Sequence, residues 1–292
     1  MIGERDGLAR SVQVRLARHA KMIGVDPNLV LARYAVERFL YRLSRSSHGD
    51  RFVLKGALLL LAWLGDTLRP TRDADLLGFG DLSDDALAKL FIEVCNVEVE
   101  PDAMTFLTDT VRVAPIRLED NYGGHRVTLQ SRLGAARLRV QVDVGIGDIV
   151  TPGPTWLDYP SLLDLPRPRL RAYSRASVIA EKLHAMVLLG SANSRMKDYF
   201  DVRALLREDA LSPGELERAI AATFERRRTA LPEDVPLGLS DEFARDASKQ
   251  AQWKAFLDKN RLTAPDLQEV VAEVRDFLAE PMRLASGQAK AS

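Results

Sequence analysis

Apolar residues recur at three- and four-residue spacing through LVLARYAVERFLYRL (29–43), at Leu31, Tyr34, Ala35, Phe39 and Leu43. This is the period of an amphipathic helix. Helix is predicted across 8–47, with Pro27 near the start of its main segment, where proline is tolerated. RFVLKG then leads into GALLLLAWLG (56–65), which is apolar on all sides and predicts a buried helix closed by Gly65 and Asp66. TRDADLLGF (71–79) reads as a strand, and Ser83 as the N-cap of a helix DDALAKLFIEVCN. The pattern then changes period. VRVAPIRL, HRVTLQSRL and ARLRVQVDVGIG alternate apolar with polar residues, and NYGG and LGAA supply turns, so 104–150 predicts a meander of strands.

A proline-rich connection follows, TPGPTWLDYP and DLPRPRL, and is the candidate lobe boundary. Beyond it the period is helical. One helix opens at Ser174 and closes at Gly190, KDYFDVRALLRE is a second, a third opens at Ser212 with Pro213 in its first turn, and LTAPDLQEVVAEVRDFLAE is the last long one. Strands followed by runs of helices predict an α+β, bilobed protein. Its core lobe is expected at 1–160, helical over 1–50 with a small mixed sheet over 51–150. A helical lobe is expected at 161–285 and a disordered polar tail at 286–292.

Composition changes this picture little. The 292 residues balance 41 Lys+Arg against 41 Asp+Glu, so total charge gives no sign of nucleic acid, although a local basic patch remains open. One cysteine, Cys95, excludes an intramolecular disulfide and fits a reducing cytoplasm. The apolar run at 56–65 is far short of the ~20 residues that span a bilayer, so no membrane is expected. Lysine is scarce, at nine positions, and Lys182 and Lys197 stand alone between Lys89 and Lys249.

Candidate chemistry starts in PTRDADLLGFGD (70–81). Asp73 and Asp75 are two apart, on one face of a strand, and can converge on divalent cations as in two-metal phosphoryl-transfer sites. Oxygen ligands of this kind suit Mg²⁺. A polar strand face explains the pair equally simply. Asp143 shares a strand face with Arg139 and Gln141; if its strand pairs near the first, it could join the metal site or act as general base. In the second lobe Lys182 lies beside an apolar stripe and could snorkel or reach a phosphate. Asp198 and Asp201 share a helix face, with Arg195 and Lys197 in pairing range, which also describes an ordinary salt-bridged helix. His184 and Cys95 read as structural. Walker A, Rossmann, GxSxG and zinc-spacing motifs are absent.

Taken together, LKGALLLLAWLG, RPTRDADLL, VQVDV, AEKLHA and NSRMKDYFD occur in the order of the AbiEii/AbiGii toxin family, which the chain resembles over roughly residues 50–205. The resemblance implies a nucleotidyltransferase toxin of a bacterial toxin–antitoxin or abortive-infection system with a polymerase-β-type core. It would transfer nucleotides from an NTP to RNA, with tRNA 3′ ends as the target, and be countered by an antitoxin. It further implies that Asp73, Asp75 and Asp143 hold Mg²⁺ or Mn²⁺. Lys182 and Asp201, with Asp198 beside them, would be the essential residues of the helical lobe, facing a cleft. Lys55, Gly56, Thr71 and Arg72 would lie at the nucleotide, and arginines such as Arg69, Arg72, Arg167, Arg169 and Arg171 could bind RNA phosphates, or simply form a solvated surface. The chain departs from the family where a Gly-Gly-Ser/Thr element is expected: it has Gly56-Ala57-Leu58, without the hydroxyl. A two-metal nuclease, a kinase-like transferase and a catalytically degenerate binding module remain the alternatives.

Overall fold

The structure, a computed structural model, describes residues 2–65, 71–116, 123–207, 211, 212 and 214–289. They divide into two units: Met1–Gly147 with Thr155–Ala172, and Asp148–Pro154 with Tyr173–Ser292.

The first unit opens with helices α1 (Ile2–Ile23) and α2 (Pro27–Arg45). Asp26 caps α2 by accepting the Asn28 N–H, and Pro27 occupies the first turn. Of the expected stripe, Leu31 is half-buried and Tyr34, Ala35, Phe39 and Leu43 are buried. So are Glu37, Arg38 and Arg42, which a purely apolar pattern does not predict. Each has partners. Arg42 grips both oxygens of Asp102 at 2.6 and 3.1 Å, while Glu37 accepts from Ser161 Oγ and the Leu162 N–H, both at 2.8 Å. Burial raises the Glu37 pKa against the pull of Arg38.

The remaining elements of this unit are β1 (Phe52–Lys55), α3 (Ala57–Leu64), β2 (Ala74–Gly78), α4 (Asp84–Cys95), β3 (Met104–Ile116), β4 (Gly124–Leu133), β5 (Ala136–Ile146), β6 (Thr155–Asp158) and β7 (Arg169–Ala172). The strands form one mixed sheet in the order β3-β4-β5-β2-β1-β7-β6. The predicted meander β3-β4-β5 is antiparallel, β2 lies parallel to β5, and β1 lies antiparallel to β2 and parallel to β7. Phe39 stacks on Phe91 at 5.1 Å, with Phe52 and Phe106 edge-on at 6.4 and 6.0 Å, so α2 and α4 share an aromatic core with the sheet. The α+β expectation holds.

The proline-rich connection is not a plain linker. It contributes β6 and β7, which pair with each other and extend the first unit's sheet beyond β1. Each has four residues and follows a proline, Pro154 or Pro168, so neither is long enough to show a period of two.

The second unit contains α5 (Arg175–Leu189), α6 (Met196–Leu206), α7 (Glu215–Arg226), α8 (Asp241–Arg245), α9 (Ala247–Asn260) and α10 (Leu267–Ala289). Ser174 caps α5 as expected, accepting the Ser177 N–H at 3.1 Å. Helix α7 opens at Glu215 rather than Ser212, because Gly214 before it takes φ +74°; Pro213 lies outside the described residues. Helix α10 runs through Pro281 to Ala289, into the stretch expected to be a disordered tail from 286. Leu278, Met282 and Ala285 continue its buried face. Residues 290–292 lie outside the described ones. No helix among the described residues is long and apolar enough to cross a membrane.

Candidate active site

Strand register answers whether the acids of the first unit meet. Asp75 in β2 faces Lys55 in β1 on one side and Asp143 in β5 on the other, and Asp143 in turn faces Arg126 in β4. Four adjacent strands therefore present a row of cation, acid, acid, cation. Facing residues on paired strands project to the same side, so the two carboxylates are neighbours and their repulsion is bracketed by opposite charge. Arg126 holds Asp143 with two parallel bonds, Nε to Oδ1 at 2.8 Å and Nη2 to Oδ2 at 2.7 Å. Sequence reading missed Arg126. Its alternation within HRVTLQSRL gives its face, but only register shows that it stands opposite Asp143.

Asp73 sits immediately before β2, which begins at Ala74, so the expected strand starts later than its first aspartate. The alternation still holds: Asp73 and Asp75 are half-buried around a fully buried Ala74. Burial raises the Asp73 pKa, the charge of Asp143 raises it further, and Arg126, Arg139 and Arg72 offset part of this. Thr71 is half-buried, with its hydroxyl 3.5 Å from the Asp73 carbonyl, and Arg72 is exposed. Arg69 lies outside the described residues.

Gly56 joins β1 to α3 with φ +73°, and a Cβ there would overlap the Asp75 carboxylate, whose Cγ would be 2.6 Å away. Asp75 thus packs against bare backbone at the start of α3, where the helix dipole favours negative charge. Leu58 is 2% exposed in a buried Leu58–Leu61 run, so this side chain serves core packing. The Lys55 ammonium reaches toward β5: a Cβ added to Gly145 would lie 3.8 Å from Lys55 Nζ. Replacing Gly56 by alanine is expected to cost about 1–3 kcal/mol from backbone strain alone and to displace Asp75. Urea unfolding should show the loss, while Gly145→Ala, where φ is unexceptional and the nearest atoms are 3.8 Å away, should unfold near wild type.

Three carboxylates from one sheet face are the hard-oxygen donor type that Mg²⁺ takes. Among the described residues no three such groups stand at metal-holding geometry, and Arg126 occupies both oxygens of Asp143. The residue types fit a divalent cation, and Arg126 is the group that competes with it.

The second unit holds a different cluster. Lys182 on α5 donates to Asp198 Oδ1 at 2.6 Å and Asp201 Oδ2 at 2.8 Å, both on α6. The two aspartates are fully buried, and the Lys182 side chain is 11% exposed. Arg195 Nε bonds the second oxygen of Asp198 at 2.6 Å. Burial would raise the Asp198 pKa, but Lys182 and Arg195 outweigh it and bring it to about 2. Burial likewise pulls Lys182 down, and the two carboxylates outweigh it, so its pKa is raised. The shared face of Asp198 and Asp201 was legible as an i, i+3 pair; that both turn inward onto Lys182 was not. Lys197 is exposed.

His184 and Cys95 are structural, as expected. His184 is buried edge-on to Phe224 at 5.1 Å and bonded to Thr229 at 2.9 Å, and burial pushes the Cys95 thiol up to about 12. Sequence reading also missed Arg227, which bridges Asp148 at 3.0 Å and Glu181 at 3.3 Å. No local pattern connects these distant positions.

Comparison with known proteins now bears on the geometry. The family model described as nucleotidyl transferase AbiEii toxin, type IV toxin–antitoxin system, matches residues 38–280. The chain belongs to that family. It is a nucleotidyltransferase of the type IV toxin–antitoxin class. Among solved structures, the nucleotidyltransferase toxin MenT4 of Mycobacterium tuberculosis H37Rv is similar with TM-score 0.56 and 18% identity, over 95% of this chain and 98% of that one. This likeness shows the fold. JHP933 of Helicobacter pylori matches with TM-score 0.48 and 13% identity, over 91% and 95% of the two chains. No curated protein sequence matches. Use of an NTP and a divalent metal, and a partner antitoxin, are general to the AbiEii family.

Proposed function

We propose that the chain transfers a nucleotide from an NTP to the 3′-hydroxyl of an RNA, with tRNA as acceptor, in the cytoplasm. Asp73, Asp75 and Asp143 would hold the cation, Mg²⁺ or Mn²⁺. The observation that supports this reading best is the row Lys55, Asp75, Asp143, Arg126 across four adjacent strands, with Asp73 beside it. When bound, the metal would neutralise phosphate charge as it develops. The chain's own groups supply the rest. Lys55 would offer a point charge to the phosphates, and Gly56, whose bare Cα makes room for the Asp75 carboxylate, would keep that acid beside the nucleotide. Thr71 and Arg72 flank the acids as nucleotide contacts. Asp143 would accept the hydroxyl proton. The RNA 3′-oxygen bonds to the α-phosphorus, the bond to the bridging oxygen breaks, and pyrophosphate leaves.

In the second unit we assign Lys182 to the phosphates and Asp198 and Asp201 to positioning Lys182, since neither buried aspartate has a surface to offer substrate. For Asp143 to hold a cation, Arg126 would have to release it. Arg126→Ala is therefore expected to tighten Mn²⁺ binding about 2- to 5-fold without nucleotide, the size of a partly exposed ion pair. Titration calorimetry with Mn²⁺ reads this directly, and unchanged affinity would remove Arg126 from the site. A cognate antitoxin would relieve toxicity: the chain expressed alone is expected to slow bacterial growth, and co-expression with the antitoxin to restore it.

Total tRNA incubated with each labelled NTP and Mg²⁺ tests the function. Lengthened, labelled RNA supports it. Shortened RNA would replace it with the two-metal nuclease reading, and NTP binding without either change with the degenerate-module reading.

A further inference from the structure

Edge strand β6 carries Trp156, 59% exposed although it is a large aromatic ring. The Arg169 guanidinium lies over that ring, 5.5 Å from its centre. Beside them is a hollow of about 570 Å³ lined by Tyr41, Arg45, Trp156, Pro166, Arg167 and Arg169. No carboxylate lines it. Among the described residues, Arg45, Arg167 and Arg169 make no ion pair, while Arg42, Arg126, Arg195, Arg203 and Arg227 all do. In a chain of zero net charge, three arginines outside close ion pairs, with Asp158 facing Arg169 across the strand pair and Glu100 within electrostatic range of Arg45, still give a local excess of cation around an exposed aromatic ring.

We infer that this edge is an acceptor-RNA subsite, in which an unpaired base stacks on Trp156 and Arg45, Arg167 and Arg169 meet the flanking phosphates. The inference rests on the reading that RNA is the acceptor, and adds where the RNA is held. Single-stranded nucleic acid is bound by this combination, a flat aromatic face for any base and cations along the backbone. The place suits it: β6 is three strands from β2 in the same sheet, about 14 Å at ~4.8 Å per strand. A strand gripped at Trp156 could therefore reach the acids with its 3′ end a few nucleotides away. Pairing of β6 with a second copy of the chain suits the edge less well. The strand has four residues, between Pro154 and Pro160, and such short, proline-flanked edges resist strand addition.

The test is binding of a short, unstructured, fluorescein-labelled oligoribonucleotide to the full chain, read by anisotropy over a salt series. Labelled-NTP binding and tRNA labelling are measured in parallel. Trp156→Ala should weaken RNA binding by between about 5- and 150-fold, as loss of one stacked base does, and Trp156→Phe should restore most of it. Replacing Arg45, Arg167 and Arg169 by glutamine should flatten the salt dependence by about 2 in the log–log slope, ~0.7 per lost phosphate contact. NTP binding should stay at the wild-type value in every variant. Wild-type RNA affinity in Trp156→Ala, with tRNA labelling intact, would overturn the subsite alone. Failure of the wild-type chain to bind or label RNA would overturn both this inference and the reading beneath it. A change of sedimentation in Trp156→Ala without loss of RNA affinity would assign the edge to self-association instead.

Discussion

Replacing Asp75 by asparagine is expected to lower the transfer rate at least ~10²–10³-fold, the loss seen when one electrostatic group is removed from a preorganised site, while leaving the fold intact. The geometry gives the reason. Asp75 lies between Lys55 and Asp143 in register, and its carboxylate packs against Gly56 at the start of α3. Asparagine keeps the shape and removes the charge. Removing the charge relieves repulsion from Asp143 and loses the attraction of Lys55 and of the α3 N-terminus, so the two offset and melting should shift little. Asp73→Asn should behave in the same way, since Asp73 already carries a raised pKa from burial and from Asp143. Asp143→Asn should lose rate too, and would also release Arg126. Activity near wild type in Asp73→Asn and Asp75→Asn, with normal melting, would remove the acids from the mechanism.

The second large effect is expected at Lys182, and it is first a matter of stability. Lys182→Ala leaves Asp198 and Asp201 buried with their shared cation gone, a change that costs about 3–5 kcal/mol in comparable buried pairs. Lys182→Arg should recover this only in part, because a wide planar fork does not fit where a compact ammonium bridges two carboxylates. Lys182→Met combined with Asp198→Leu and Asp201→Leu, which leaves no buried polar group unpaired, should melt closer to wild type than Lys182→Ala. If Lys182 also serves the phosphates, that stable triple variant should still lack transfer. Lys197→Ala, on the exposed side of α6, should cost less than ~1 kcal/mol.

The pH dependence has a definite sign. Asp198 has its pKa lowered to about 2, so its contribution is present above the ordinary carboxylate value near 4 and is lost as pH falls toward 2. Its size is about 2 kcal/mol. The raised Lys182 acts at the other end: its contribution is full below the ordinary lysine value and fades as pH rises past it. Urea unfolding between pH 2 and 7 should therefore show a steeper acid loss in wild type than in Asp198→Asn.

Much of this was legible in sequence because it depends on short-range periodicity. The Asp73–Asp75 alternation, the apolar face of β5 that orients Asp143, the Ser174 cap and the Asp198–Asp201 spacing are all local. What was not legible depends on register between distant segments. Whether Asp75 and Asp143 touch turns on β2 lying parallel to β5, and Arg126 enters only because β4 pairs with β5 at that offset. The four-residue strands β6 and β7, within proline-rich sequence, are too short to show a period. Buried charges on α2 break the apolar pattern because their partners, Asp102, Ser161 and the Leu162 amide, come from elsewhere in the chain. Helix α10 outran its expected end because Met282 and Ala285, just before the polar tail, continue its buried face at helical spacing.

The central claim is that an NTP gives up its α-phosphorus to an RNA hydroxyl at the acids of β2 and β5. The most direct measurement follows two labels at once, one on the α-phosphate and one on the γ-phosphate, in a single turnover with total tRNA and Mg²⁺. The account predicts that the α-label appears in RNA, that the γ-label leaves as pyrophosphate in equal amount, and that Asp75→Asn abolishes both. A γ-label found in protein or RNA, or α-label transfer undiminished in Asp75→Asn, would contradict it.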